Sequence, residues 1–216
     1  NRARILGATA SRFKFDENGV KHDELLITNV NIGKVENIII NGIDIYEVYA
    51  GSSYGDKNPR WKAYDGSQRR ATPIVAGYKL PDNEVEGGLS FKLPDSRHTG
   101  YIENVVFNDV HVLVKGGNPL SDTAAAPPEL GVGQYNVSNL KTQPSYGLWA
   151  RHVKGLTVKQ CSFNYEQPDG RYALFLDDVV GAQINGIKAR RSAANPEVVK
   201  LKNSTGVIVD DLSLRD

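Results

Sequence analysis

A nine-residue pattern recurs through the chain and constrains its fold more than any other feature. Three copies align on glycines: GLTVKQCSF begins at Gly155, GAQINGIKA at Gly181 and GVIVDDLSL at Gly206. These glycines are 26 and 25 residues apart (181 − 155 and 206 − 181). A fixed period in this range is typical of proteins built from stacked structural repeats. Two further copies begin with Asn, NIIINGIDI at Asn37 and NVVFNDVHV at Asn104.

Within each copy, apolar and polar residues alternate as in a strand with one buried face. The fourth, seventh and ninth places are apolar in all five copies, and the eighth is polar. The fifth and sixth places are mostly Asn, Asp and Gly, which tolerate left-handed backbone angles and so predict a corner. We expect equivalent apolar residues to stack in columns. The predicted columns are Val158, Ile184 and Val209, and Cys161, Ile187 and Leu212.

Other stretches supply a strand ahead of the pattern. Leu148 to Val153 precedes one copy, and Ala173 to Val179 precedes the next. We assign the same role to ELLITNVNI, which begins at Glu24, and to Gly88 to Leu93. The sequence therefore predicts an all-β fold in which coils of roughly 25 residues stack as a parallel β-helix, a form of solenoid.

Length and composition agree with a single domain over residues 1–216. A chain of this length buries a substantial core, and its net charge of +1 argues against a nucleic-acid partner, which would need a strong basic excess. No apolar run approaches the roughly 18 residues of a membrane span. Cys161 is the single cysteine, and it falls at an apolar place of the pattern. We therefore expect it to be buried, and no internal disulfide to form.

The chain opens on the polar sequence NRARILGATASRFKFDENGV, which is unlike the cap that the end of a solenoid needs. We therefore expect it to be the C-terminal part of a longer β-helix, with the N-terminal part of the same protein as its packing partner.

Two long stretches interrupt the pattern, residues 46–86 and 113–145. They are rich in Gly and Pro, which favour turns and loops. Insertions of this length usually carry function, so we expect these two loops to contribute to a binding site.

Four runs of sequence carry a family resemblance: PSYGLWARHVKGLTV, PDGRYALFLDDVVGAQINGI, TGYIENVVFNDVHV and PPELGVGQYNV. They resemble the C-terminal region of glycoside hydrolase family 28, the polygalacturonase family, and especially its bacterial pectin-degrading members. The resemblance extends from about Asn37 onward. It implies a right-handed parallel β-helix and inverting hydrolysis of galacturonate-containing chains, either polygalacturonan or rhamnogalacturonan.

The resemblance also indicates what the chain lacks. Inverting hydrolysis needs a carboxylic acid and a carboxylate that flank the scissile bond, and the family supplies them from Asn-Thr-Asp and Gly-Asp-Asp motifs, followed by Gly-His-Gly. None of these motifs occurs here. The resemblance thus implies catalytic carboxylates upstream, no catalytic residue in this chain, and no hydrolysis by the chain alone. It further implies no cofactor and no metal, a secreted or periplasmic location, and an acidic plant polysaccharide as partner.

Arg12 and Lys14 frame a Phe and resemble the last motif of the family, Arg-x-Lys. The resemblance implies that both cations bind the substrate carboxylate, Arg12 as a bidentate fork and Lys14 as a point charge. A tyrosine that lines the cleft follows this motif in the family. Tyr54 is the candidate for it, with Tyr46 and Tyr49 as rivals.

Trp61 lies in the first insertion among Lys57, Arg60, Lys62 and two further arginines. An aromatic ring stacks on a sugar, and nearby cations attract a polymer of uronates. We therefore add Trp61 to the substrate-binding candidates; the alternative is a solvated, charged loop.

The remaining acidic pairs and histidines favour structural roles. We expect turn or surface positions for Asp177-Asp178 and Asp210-Asp211, and exposed or hydrogen-bonded strand positions for His111 and His152.

Two other functions stay open. A β-helical polysaccharide lyase would need Ca²⁺ held by clustered carboxylates and a basic residue as proton acceptor. A non-catalytic β-helix of the adhesin or tailspike kind would bind glycans through its loops.

Overall fold

The computed structural model describes residues 4–6, 12–24, 35–46, 74–76, 84–85, 89–90, 101–128 and 140–215. This part of the chain contains thirteen β-strands, one short 3-10 helix (Leu120–Ala124) and no α-helix. The strands are β1 (Arg4–Leu6), β2 (Arg12–Phe15), β3 (Lys21–Glu24), β4 (Glu36–Ile45), β5 (Ile74–Ala76), β6 (Glu84–Val85), β7 (Leu89–Ser90), β8 (Ile102–Gly116), β9 (Ser145–Lys159), β10 (Ser162–Gln167), β11 (Tyr172–Arg190), β12 (Val199–Lys202) and β13 (Thr205–Arg215). The predicted all-β class is confirmed.

Nine of these strands form one sheet, and all of its pairings are parallel. The other four form two antiparallel hairpins, β2 with β3 and β6 with β7. Because parallel neighbours cannot be joined by a tight hairpin, the chain must travel some distance between one strand and the next partner.

The chain makes five passes through the main sheet, and each pass adds one segment to each of three rows. Row 1 consists of 4–6, 74–76, 149–151, 175–177 and 200–202. Row 2 consists of 38–41, 105–108, 156–159, 182–185 and 207–210. Row 3 consists of 44–45, 111–112, 162–163, 188–189 and 213–214. Equivalent residues of successive passes therefore lie side by side.

The predicted columns of apolar residues follow this register. Val158 pairs with Ile184, and Ile184 with Val209. Ile187 pairs with Leu212, and the amide of Lys188 donates to the carbonyl of Cys161 at 2.9 Å. Both columns are confirmed.

The core lies on the inner side of the three rows and contains Cys161 as a free, buried thiol. Burial raises the pKa of this thiol, which lowers the fraction of reactive thiolate. Val209, by contrast, is 39% exposed, because among the described strands β13 has a neighbour on one side only.

Left-handed residues recur at fixed places and turn the chain between rows. The sixth place of the pattern has a positive φ in all five copies: Gly42, Asp109, Gln160, Gly186 and Asp211. The predicted corner is therefore confirmed. The first place is left-handed as well; at Gly155, φ is +74° and a Cβ atom would lie 3.0 Å from the Asn104 Oδ1. A third set, His152, Asp178 and Asn203, turns the last three passes between row 1 and row 2.

Four strands of this sheet pair in a closed ring, which the sequence did not predict. β8 pairs with β9 and β10, and both of these pair with β11. The parallel pairing itself agrees with the prediction.

The first insertion is not a continuous loop, so that part of the prediction is wrong. β5 lies within residues 46–86 and occupies row 1 beside β9, with Val75 and Ala76 buried. The sequence did not indicate this strand, because three apolar residues that follow a proline resemble part of a loop. The second insertion, predicted from residue 113, begins later because β8 continues to Gly116.

The two upstream strand assignments have mixed outcomes. Within the predicted strand Gly88 to Leu93, β7 pairs with β6 in a hairpin and takes no place in row 1. In ELLITNVNI, Glu24 ends β3, and its other residues lie outside the described part.

No helix in the described ranges is long and apolar enough to cross a membrane.

Candidate functional site

The structure describes the backbone of two of the four predicted binding residues. Arg12 and Lys14 lie in β2, opposite Glu24 and His22 of β3. Tyr54 and Trp61 lie outside the described residues.

Both antiparallel hairpins fall at the same point of a pass along the chain. The β2–β3 hairpin lies between the row 1 and row 2 segments of the first pass, and the β6–β7 hairpin occupies the equivalent place in the second pass. In passes three to five, this corner is a tight turn at His152, Asp178 and Asn203. The first two passes thus carry insertions at the point where the later passes turn tightly.

Three side chains from successive passes are hydrogen bonded at this corner. The Tyr101 hydroxyl donates to Asp178 Oδ1 at 2.9 Å, and His152 Nδ1 lies 2.7 Å from Asp178 Oδ2. The His152 side chain is buried, and its ring stands edge-on to Tyr101. We call Tyr101, His152 and Asp178 the corner cluster. Because Tyr101 ends the second-pass insertion, the cluster ties that insertion to the sheet.

Row 1 has an apolar inner side and an outer side on which aromatic and charged residues alternate. Leu148, Ala150, Leu174 and Leu176 belong to the core. Since strand side chains alternate, Trp149, Arg151, Phe175 and Asp177 point away from it. Phe175 pairs with Lys200 and Asp177 with Lys202, which places both lysines on the same outer side.

A charge ladder runs across this outer side. Arg151 Nε donates to Asp177 Oδ2 at 2.9 Å, and Lys202 Nζ lies 3.6 Å from the same oxygen. The Arg151 guanidinium also lies over the Trp149 ring, 5.1 Å from its centroid. We call Arg151, Asp177 and Lys202 the row 1 charge ladder. Lys202 is the exposed member of this ladder, with 48% of its side chain accessible, so it is the cation that anions in solution can reach.

The expectation that Asp177 is a surface or turn residue is wrong, since it is only 4% exposed and ion paired. Asp178 does turn a corner, and Asp210 and Asp211 are exposed in β13 with Asp211 left-handed. These three agree with the expected structural roles.

The two histidines also have the expected structural roles. His152 is hydrogen bonded as described above, and His111 lies in row 3 within reach of Ser162 Oγ (2.8 Å) and Asp109 Oδ1 (3.1 Å).

Residues 125–128 cross the outer side of row 1, and we call them the strap. Arg151 Nη1 donates to the carbonyl oxygens of Pro127 at 2.9 Å and Pro128 at 3.4 Å. The strap continues from the 3-10 helix, whose start packs so closely on Gly170 that a Cβ atom there would lie 2.5 Å from the Leu120 nitrogen. Trp149 has no exposed surface, and its indole N–H has no hydrogen-bond partner among the described residues.

A second polar group is buried below that helix. Arg171 Nε and Nη2 each donate to Asp169 at 2.9 Å, and neither side chain is exposed. Asn118 donates to the same carboxylate. Within the described part, Arg171 Nη1 and both polar atoms of Gln143 are buried without a partner. This buried ion pair and its hydrogen bonds lie at the turn between row 3 and row 1, where they have a structural role.

The acidic residues of row 1 and its corner are engaged with other side chains, and no metal site lies beside them in the described ranges. No group of three His, Cys, Asp or Glu side chains that could hold a metal occurs there. Asp177 is ion paired with Arg151, and Asp178 is hydrogen bonded to His152 and Tyr101. What the described site offers to a ligand is the exposed Lys202 side chain, since Arg151 and Trp149 are buried.

The spacing of residues in the sequence indicates both the charge ladder and the corner cluster. Arg151 and Asp177 are 26 residues apart (177 − 151), and so are His152 and Asp178 (178 − 152). This spacing equals the repeat, so the members of each pair had to lie side by side.

A scan of protein-family models finds no match to this chain, and searches of curated proteins and of solved structures find no significant match.

Proposed function

We propose that this chain is part of a pectin-degrading glycoside hydrolase of the polygalacturonase type, with the fold of a right-handed parallel β-helix. Its role is structural and substrate-binding. The catalytic acid and base would come from residues outside the chain, since the sequence contains neither an Asn-Thr-Asp nor a Gly-Asp-Asp motif.

The pairing pattern supports the β-helix. Five passes that each visit three rows in the same order are what coils with three faces produce. The ring of β8, β9, β10 and β11 has a simple explanation in these terms. β9 and β11 continue through the corner between rows 1 and 2, and β11 also continues into row 3, whereas β10 is separate from β9. A strand that continues through a corner pairs with different neighbours on its two faces. These pairings together connect β8, β9, β10 and β11 into a ring.

One observation carries the proposed substrate class: the row 1 charge ladder lies beside the corner between rows 1 and 2, the point of the pass at which both hairpins are inserted along the chain. A galacturonate polymer carries one carboxylate per sugar, so an array of cations attracts it over a distance set by ionic strength. The hairpin with Arg12 and Lys14 leaves from the first pass of that corner. We propose that the polymer lies on the outer side of row 1. We also propose that the protein acts outside the cell or in the periplasm.

Titration of the 216-residue chain with polygalacturonate tests this proposal by calorimetry. Binding is expected at low salt and should weaken as salt screens the uronates, while neutral galactan should not bind. Lys202→Ala should weaken binding several-fold, because the Lys202 side chain is 48% exposed and its charge is lost. Lys188→Ala is the matched control, since Lys188 is exposed in row 3.

Equal binding of galactan, or no binding of polygalacturonate at low salt, would contradict the proposal. A glycan-binding β-helix without catalysis would show the same binding as a hydrolase. The sequence of the full-length gene distinguishes these two functions. If that gene encodes no Asn-Thr-Asp and Gly-Asp-Asp motifs upstream, the non-catalytic alternative is favoured.

A further inference from the structure

Five polar atoms at the turn between row 3 and row 1 are buried and have no hydrogen-bond partner among the described residues. They are Asn118 Oδ1, Gln143 Nε2 and Oε1, Ser145 Oγ and Arg171 Nη1. None of these four residues, which we call the turn cluster, is more than 4% exposed. A buried polar atom that gives up its hydrogen bonds to solvent and gains none destabilises the folded chain. The turn cluster therefore needs a partner that the surrounding side chains do not supply.

The members of the turn cluster come from three chain segments that are hydrogen bonded to one another. The Gly170 amide donates to the Asn118 carbonyl at 2.8 Å, and the Tyr172 amide donates to the Pro144 carbonyl at 3.1 Å. These two amides lie on either side of Arg171 in the chain, and Pro144 lies between the other two members of the cluster. Three successive turns therefore bring the four side chains to one place.

The charges at this turn favour a neutral ligand. Asp169 accepts hydrogen bonds from the Arg171 side chain at 2.9 Å and from the Asn118 amide at 2.6 Å, and it is fully buried. A cation at this place would meet the Arg171 guanidinium, and an anion would meet the Asp169 carboxylate. Since the carboxylate and the guanidinium neutralise each other, no net charge is left to attract an ion.

The unpartnered atoms include both donors and acceptors. The Gln143 nitrogen and the Arg171 nitrogen donate, the Asn118 and Gln143 oxygens accept, and the Ser145 hydroxyl does either. A ligand for them must be small, because the turn is closed to solvent, and it must both accept and donate hydrogen bonds. We propose that the turn cluster is a binding site for internal water. At about three hydrogen bonds per buried water, about two molecules are enough for five atoms.

The position of the site gives this water a structural role. Ser145 begins β9, and Arg171 directly precedes β11, while Asn118 lies just before the 3-10 helix. Bound water thus connects the first residues of two neighbouring row 1 strands to the segment that leads into the helix and the strap.

Magnetic relaxation dispersion of water oxygen-17 detects water molecules that stay inside a protein. The wild-type chain should show such a dispersion. Gln143→Met removes two of the five atoms at similar side-chain length, so it should lower the amplitude by the equivalent of about one water molecule or more. Its urea midpoint should fall, because hydrogen bonds between the amide and water are lost. Gln183→Met makes the same change at an exposed position of β11, and it should leave both quantities unchanged.

Ser145→Ala is a second, smaller substitution that keeps the test decisive if Gln143→Met does not fold. It removes one hydroxyl and should also lower the amplitude. A wild-type chain without a dispersion would overturn the proposal, and so would an unchanged amplitude in every folded turn-cluster variant. A higher urea midpoint for Gln143→Met would overturn it as well, because removal of an amide that bonds to nothing relieves a cost.

Discussion

Ile184→Asp is expected to lower the free energy of unfolding by more than about 4 kcal/mol, a loss that few single substitutions reach. Ile184 is 1% exposed and belongs to the core cluster. It pairs with Val158 on one side and Val209 on the other, so both column neighbours are apolar. A carboxylate there would lose water without gaining a partner. Because domains are stable by only about 5–15 kcal/mol, this variant should lose a large fraction of its stability.

Urea denaturation followed by circular dichroism measures this loss. Gln183→Asp is the matched control, since Gln183 precedes Ile184 in β11 and is exposed. The control should change the free energy of unfolding by no more than about 0.5 kcal/mol. A folded Ile184→Asp chain with nearly wild-type stability would mean that this column does not face the core.

Asp169→Ala is expected to cost about 3–5 kcal/mol, the usual effect of breaking a buried ion pair from one side. Asp169 accepts hydrogen bonds from the Arg171 backbone amide and side chain and from Asn118. The substitution would leave the Arg171 guanidinium buried with no carboxylate beside it. It would also release the turn between row 3 and row 1, on which the 3-10 helix packs.

Glu166→Ala is the control for this prediction. Glu166 lies three residues before Asp169 in the chain and forms an exposed ion pair with Lys115. Exposed pairs contribute between about 0 and 1 kcal/mol, so the two variants should differ clearly in urea midpoint. If both lost a similar small amount of stability, Asp169 would have to be accessible to water in solution.

The repeat made rows 2 and 3 predictable because their apolar places recur without insertions. Any residue whose equivalent lies one period away had to pair with it, which is how the Val158–Ile184–Val209 column followed from spacing alone. The sixth-place corner was predictable for a similar reason, since Asn, Asp and Gly tolerate a left-handed backbone.

Row 1 and its surroundings were less predictable. β5 has three residues within a long polar stretch, and its place in the sheet depends on pairing with β9, a contact distant in sequence. The strap is also a long-range contact, formed between proline carbonyls and Arg151. Neither proline carries a charge or side-chain donor that would mark it in the sequence as the partner of an arginine.

Residue-specific mapping of polygalacturonate binding tests the central claim most directly. Backbone amide shifts of the isotope-labelled chain are measured by NMR while a short galacturonate oligomer is added at low salt. We expect the largest changes in the row 1 segments 149–151, 175–177 and 200–202 and in the strap, and little change in the row 3 segments 111–112, 162–163 and 188–189. Shifts concentrated in row 3, or no shifts at saturating oligomer, would contradict a binding surface on row 1.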